Sequence, residues 1–205
     1  MRKYPLGDSC LCWSLDDKID PAVSARILSV YRELKDTAPG TLGIRDFVPS
    51  YNALAVHFDP LKCDRKKLEE LVDEAFAKES GGNNTGKEVI IPVKYDGEDL
   101  DRVAELHDLT VREVIDLHSK GNFTVAMVGF LPNFPYLIGL DERLVTPRLD
   151  SPRTKVPAGS VAIGGAQTGI YPVESPGGWN LIGSTDPALL QAIEPGDRVI
   201  FEEMK

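Results

Sequence analysis

Glycine and proline are spread very unevenly along this 205-residue chain. Ten of the 18 glycines and seven of the 15 prolines fall between Gly121 and Gly183. Glycine leaves the backbone unconstrained, and proline removes a hydrogen-bond donor. Long helices are therefore excluded from this window. The apolar runs between the turns are short: Phe123–Phe130, Ser160–Ile163, Gly169–Val173, Trp179–Ile182 and, further on, Arg198–Phe201. Short strands with close turn signals predict a sandwich or a barrel. A helical pair precedes them at about Leu100–Leu106 and Val111–Leu117, with Thr110 and Glu113 spaced as a capping box.

The first part has a different texture. Strand-like Met1–Pro5 and Ser9–Leu15 flank Gly7-Asp8, so they can pair as a hairpin. Asp20-Pro21 opens a helix, with Asp as N-cap and Pro where its missing N–H costs nothing. Pro39-Gly40 closes that helix. Gly43–Val48 and Ala53–Phe58 read as strands joined by PSYN. Asp64 caps a second helix with apolar residues at Leu68, Leu71, Val72, Ala75 and Phe76. The order ββαββα predicts an α+β, two-layer domain over residues 1–80. Residues 81–88, polar and glycine-rich, read as a linker. Residues 89–205 form the second, mostly-β domain.

Composition narrows the function classes. The formal net charge is -9, which argues against nucleic acid and anionic membrane surfaces as partners. No apolar run is long enough to span a bilayer, and no signal segment is read. Three cysteines without a CxxC spacing fit a reducing, cytoplasmic setting.

Gly81–Glu88 matches the phosphate loop GxxxxGK but ends in Glu88, where a hydroxyl for magnesium is required. It is read as a connector. No His, Cys or carboxylate set has metal-ligand spacing, so no metal is expected. His107 and His118 each close an apolar helical stripe. For both, the first reading is a core histidine with its nitrogens satisfied; the sharper reading makes His118 an acid/base candidate. Arg148 and Arg153 form two Pro-Arg units suited to a carboxylate or phosphate; the alternative is surface pairing with Asp141, Glu142 or Asp150. Ser160, Gln167, Thr168 and Tyr171 add neutral hydrogen-bonding groups around the glycine turns. Phe130, Phe134, Tyr136 and Trp179 are candidates for a pocket wall or an interface.

Together, GFLPNFPYLIGLDERL, TPRLDSPR, KVPAGSVAIGGAQTGIYPVESPGGWNLIGST and EPGDRV, in this order, resemble the family that includes the B-type subunit of 5-oxoprolinase. That family is also named allophanate hydrolase subunit 1 and includes the kinase inhibitor KipI. GDSCL, FVPSYNALAVHFD and DLDRVAELHDLTVREVIDLHS extend the resemblance over nearly the whole chain. The resemblance implies a cyclophilin-like β-barrel for the second domain. It implies a component, inactive alone, of an ATP-dependent 5-oxoprolinase that opens a lactam to glutamate. The partners implied are a larger cyclophilin-like subunit of the C type and a third of the A type, with ATP and magnesium serving the complex. The KipI likeness implies the alternative, a regulator that binds a sensor histidine kinase. Two positions depart from the family pattern: Asn133 stands for a turn glycine, and Ser184 for an arginine whose loss is expected to remove a charge near the pocket.

Overall fold

The computed structural model describes residues 1–38, 40–78 and 86–204. The chain divides into two compact units, Met1–Asn84 and Thr85–Lys205. Most of the segment read as a linker, and with it most of the phosphate-loop look-alike, lies outside the described residues.

In the first unit, β1 (Arg2–Pro5), β2 (Cys10–Ser14), α1 (Pro21–Thr37), β3 (Ile44–Pro49), β4 (Ala53–Phe58) and α2 (Arg65–Ala77) follow one another, with a short 3-10 turn after α1. The strands form an antiparallel sheet in the order β1-β2-β4-β3. Asp20 accepts from the N–H groups of Ala22 and Val23, and Asp64 from that of Lys67, so both helix starts are capped. Alternation along β2 and β4 turns Leu11, Trp13, Leu54, Val56 and Phe58 to one face. There they bury against Ile27, Val30 and Leu34 of α1 and Leu68 and Val72 of α2. The Trp13 indole N–H reaches Asp73 on α2 at 2.8 Å. No helix among the described residues is long and apolar enough to cross a membrane.

The second unit holds β5 (Glu88–Val93), α3 (Leu100–Leu106), α4 (Val111–Ser119), β6 (Phe123–Val128), β7 (Pro135–Ile138), β8 (Arg153–Val156), β9 (Ser160–Gly164), β10 (Gln167–Ile170), β11 (Ser175–Gly177), β12 (Asn180–Ser184) and β13 (Arg198–Glu203). Seven of the strands form one sheet, ordered β12-β9-β10-β7-β6-β13-β5. Only β5 and β13 run parallel. The two edge strands then meet. Lys94, just past β5, and Ser184 of β12 exchange both backbone hydrogen bonds, at 2.9 and 2.8 Å. The sheet thus closes on itself into a barrel and hides its edges. The remaining two strands, β8 and β11, pair as a separate flap.

The barrel wall has two apolar faces. Val161 and Ile163 of β9, Ile170 of β10 and Leu137 of β7 point into the main core with Val103 of α3 and Val114 of α4. Their neighbours Ala162, Leu181 and Tyr136 point outward, into a smaller cluster with Phe134, Val156, Tyr171 and Trp179. A strand buried on both faces cannot show simple polar alternation, which is why these strands read only as short apolar runs.

Candidate functional site

The outer cluster forms a cleft of about 230 Å³ between the barrel wall and the β8–β11 flap. Phe134 is its hub. It meets Tyr171 edge-on at 5.1 Å between ring centroids, Trp179 at 5.7 Å and Phe130 at 5.6 Å, and tilts against Tyr136 at 4.8 Å. Such edge-to-face pairs each contribute about 0.5–1.5 kcal/mol beyond area burial, so the rings brace one another. All four aromatic candidates, Phe130, Phe134, Tyr136 and Trp179, line this cleft together with Tyr171 and Arg148.

Two glycines explain how the rings come so close. A Cβ at Gly164 would stand 2.4 Å from the Trp179 indole, and one at Gly177 would stand 2.3 Å from the Tyr171 hydroxyl oxygen. The bare backbone of β9 is the floor on which the indole lies, and the bare flap leaves room for the phenol. The rim is built differently. Phe130 is 62% exposed and holds φ at 67°, a region that bulky side chains rarely occupy. Asn133 takes φ 65° in the same turn. Asn accepts that conformation more readily than most residues, and the turn keeps its Gly129 N–H to Phe134 carbonyl bond at 3.1 Å.

The charge in the cleft is a single guanidinium. The Arg148 Cζ lies 5.8 Å from the Trp179 ring centroid, and no carboxylate among the described residues pairs with it. Burial raises the Tyr136 and Tyr171 phenols above their ordinary range, against the pull of Arg148. Both are therefore neutral hydrogen-bonding groups at pH 7. The site can hold a flat, partly apolar molecule with one anionic end.

Several sequence candidates lie elsewhere. Arg153 does not share the cleft with Arg148. Its Nε meets Glu98 at 2.6 Å and its Nη2 meets Asp99 at 2.7 Å, neither of them the acidic partner weighed from the sequence. Asp99 is itself buried and also accepts the Leu181 N–H at 2.7 Å. Arg153 thus ties the flap to the barrel, and its charge is already neutralised. His118 is wholly buried in the barrel core and stacks on Phe201 with centroids 4.6 Å apart. The Thr168 hydroxyl donates to the Ala162 carbonyl, so His118 Nε2–H donates to Thr168 Oγ1 at 2.9 Å, and Nδ1 accepts from the Tyr95 hydroxyl at 2.8 Å. Burial lowers its pKa to about 3. A ring with both nitrogens committed and no route to the cleft cannot be its acid or base, and Thr168 is spent in the same chain of bonds. Ser160 and Gln167 are buried on the wall but do not line the cleft, and Gln167 leaves its Nε2 without a hydrogen-bond partner among the described residues.

The Ser184 departure also falls outside the cleft. Its hydroxyl donates to Asp96 at 2.8 Å, on the barrel seam. The residues missed from the sequence are Pro152, Pro176, Gly177 and Gly178, which supply the flap side of the cleft. Their signals were the PGG triplet and, for Pro152, the second Pro-Arg unit.

Residues 1–195 match the family described as carboxyltransferase domain, subdomain C and D. The chain is 39% identical over 211 residues to the B-type subunit of 5-oxoprolinase from Haemophilus influenzae, spanning 98% of this chain and 97% of that one. The crystallised protein TTHA0988 superposes with a TM-score of 0.83 at 36% identity, over 96% of this chain and 40% of that longer chain. Urea amidolyase of K. lactis shares the fold, with a TM-score of 0.78 at 21% identity, over 99% of this chain and 15% of its own length.

Proposed function

The chain belongs to the family of B-type 5-oxoprolinase subunits, built on carboxyltransferase-type domains, and from that premise we propose that it is the component of a cytoplasmic 5-oxoprolinase that binds and orients the substrate. The observation that carries this reading is the Arg148 guanidinium, without a carboxylate partner among the described residues, over the Trp179 indole in a small aromatic cleft. 5-Oxoproline is a flat five-membered lactam with one carboxylate. The carboxylate meets Arg148 through charge-assisted hydrogen bonds, and the ring lies against Phe134, Tyr136 and Trp179. The neutral phenols of Tyr136 and Tyr171 are hydrogen-bond donors for the lactam carbonyl. The cleft excludes water from one face of the ring and fixes which edge faces out.

A lactam is a poor electrophile, and ATP bound in the complex supplies the phosphoryl group that activates it. A nucleotide with magnesium asks for several cationic and carboxylate groups. This cleft offers one guanidinium, and no three His, Cys, Asp or Glu side chains among the described residues converge as a metal set. These residues do not fit ATP. We therefore assign nucleotide handling to the larger C-type and the A-type subunits and route no step through it here.

The test is reconstitution with those two subunits, ATP and 5-oxoproline. Arg148→Ala removes a charge-assisted contact of about 1.5–3 kcal/mol, so it is expected to weaken apparent substrate binding roughly 10- to 100-fold. Turnover by the mixture with unchanged KM in Arg148→Ala would refute the assignment. The exposed, left-handed Phe130 supports a second reading, a KipI-like regulator that grips a sensor histidine kinase. There, Phe130→Ala would abolish a complex with the kinase's dimerisation domain, and Arg148→Ala would leave that complex intact.

A further inference from the structure

We infer that Asn180, held in place by Arg102, is the positioning residue that fixes Arg148 over Trp179; the inference rests on the substrate-binding reading of the cleft and deepens it. Asn180 has no exposed surface. Its Nδ2 donates to the Pro147 carbonyl at 2.9 Å and to the Ile163 carbonyl at 3.1 Å, and its Oδ1 accepts from Arg102 Nη1 on α3. Both amide hydrogens are thus spent on carbonyls, and a flipped amide would aim its oxygen at two oxygens. The orientation is fixed by chemistry.

The consequence lies in the residues on either side. Pro147 precedes Arg148, and Asn180 follows Trp179. On the other flank the Leu149 N–H donates to the Gly178 carbonyl at 2.7 Å. The segment 147–149 is therefore pinned to 178–180 on both sides, and Arg148 faces Trp179 between the pins. Just upstream, Thr146 is also held: His107 at the C-terminal end of α3 meets its hydroxyl at 2.9 Å, and that hydroxyl donates to the Leu144 carbonyl at 2.9 Å. Since Arg148 has no carboxylate partner among the described residues, its place depends on its backbone. A guanidinium already held where the carboxylate arrives loses little freedom on binding.

The test reads Arg148 directly, in the full chain. Its Nε–Hε resonance, identified by its absence in Arg148→Lys, is expected upfield because of the Trp179 ring current and unshifted in Trp179→Leu. Asn180→Asp keeps the shape but removes both donors, and Arg102→Gln frees the amide without touching the segment. Each is expected to move the resonance at least halfway to the unshifted position and to weaken 5-oxoproline binding on the order of tenfold. Arg102→Lys, which keeps a donor, should retain most of the shift. In the Arg148→Ala background, Arg102→Gln should weaken binding no further, whereas a residue acting only on stability would add its own loss. If Asn180→Asp fails to fold, Arg102→Gln decides. A wild-type resonance position in the folded variant overturns the inference. A shifted resonance with no 5-oxoproline binding in any form leaves the positioning role standing and removes the ligand reading.

Discussion

Single positions carry the sharpest expectations. Gly164 is the bed of the Trp179 indole, so Gly164→Ala must push the ring off β9. Overpacking of this kind costs about 1–3 kcal/mol. The expected outcome is a lower melting temperature and loss of ligand-induced quenching of Trp179 fluorescence, read with Trp13 replaced by Phe. A normal quench with unchanged stability would show that the strand has space to spare. His118 gives a pH prediction. Its folded pKa, about 3, lies below the ordinary value of 6.5. The unfolded chain therefore takes up a proton between those values while the folded chain does not. The stability present above about pH 6.5 should fall by up to about 1.4 kcal/mol per pH unit on acidification toward 3. Urea denaturation of wild type and His118→Gln at pH 7 and pH 5 checks this, since the variant should lack that share of the slope. The motif that made His118 conspicuous was legible in the sequence. The apolar stripe it closes already favoured the core reading, and burial with both nitrogens committed agrees with it; the partners, Tyr95 and Thr168, were not legible because they lie 23 and 50 residues away.

At the scale of elements, boundaries that depend on caps were readable. Asp20-Pro21, Asp64 and the Thr110–Glu113 box mark helix starts because their hydrogen bonds are local. The flap was unreadable for the opposite reason. β11 is Ser-Pro-Gly, and Pro152 directly precedes β8. Such residues are tolerated only because a two-stranded edge needs few ladder bonds. Its attachment is equally non-local, running through Arg153 to Asp99, 54 residues away. Arg153→Ala leaves Asp99 buried with its charge uncompensated, a loss of roughly 3 kcal/mol. Proteolysis near Pro152–Val156 should accelerate in that variant and not in Lys155→Ala, whose partner Glu174 is exposed. Equal protection in both would mean that the flap is held by its aromatic contacts alone.

For the whole molecule, turn density pointed to a sandwich or a barrel and the family resemblance to a barrel, while its closure depends on a pairing between residues 94 and 184 that no local signal encodes. If the seam is as firm as its two hydrogen bonds imply, the amides of Lys94 and Ser184 should exchange with solvent as slowly as those within β6. Exchange at loop-like rates would make the sheet an open one. Because β13 runs alongside β5 in the same direction, the polypeptide enters this unit at one pole and leaves it at the other. A fluorescent tag spliced in after Met204 would therefore emerge from the pole opposite the start of β5.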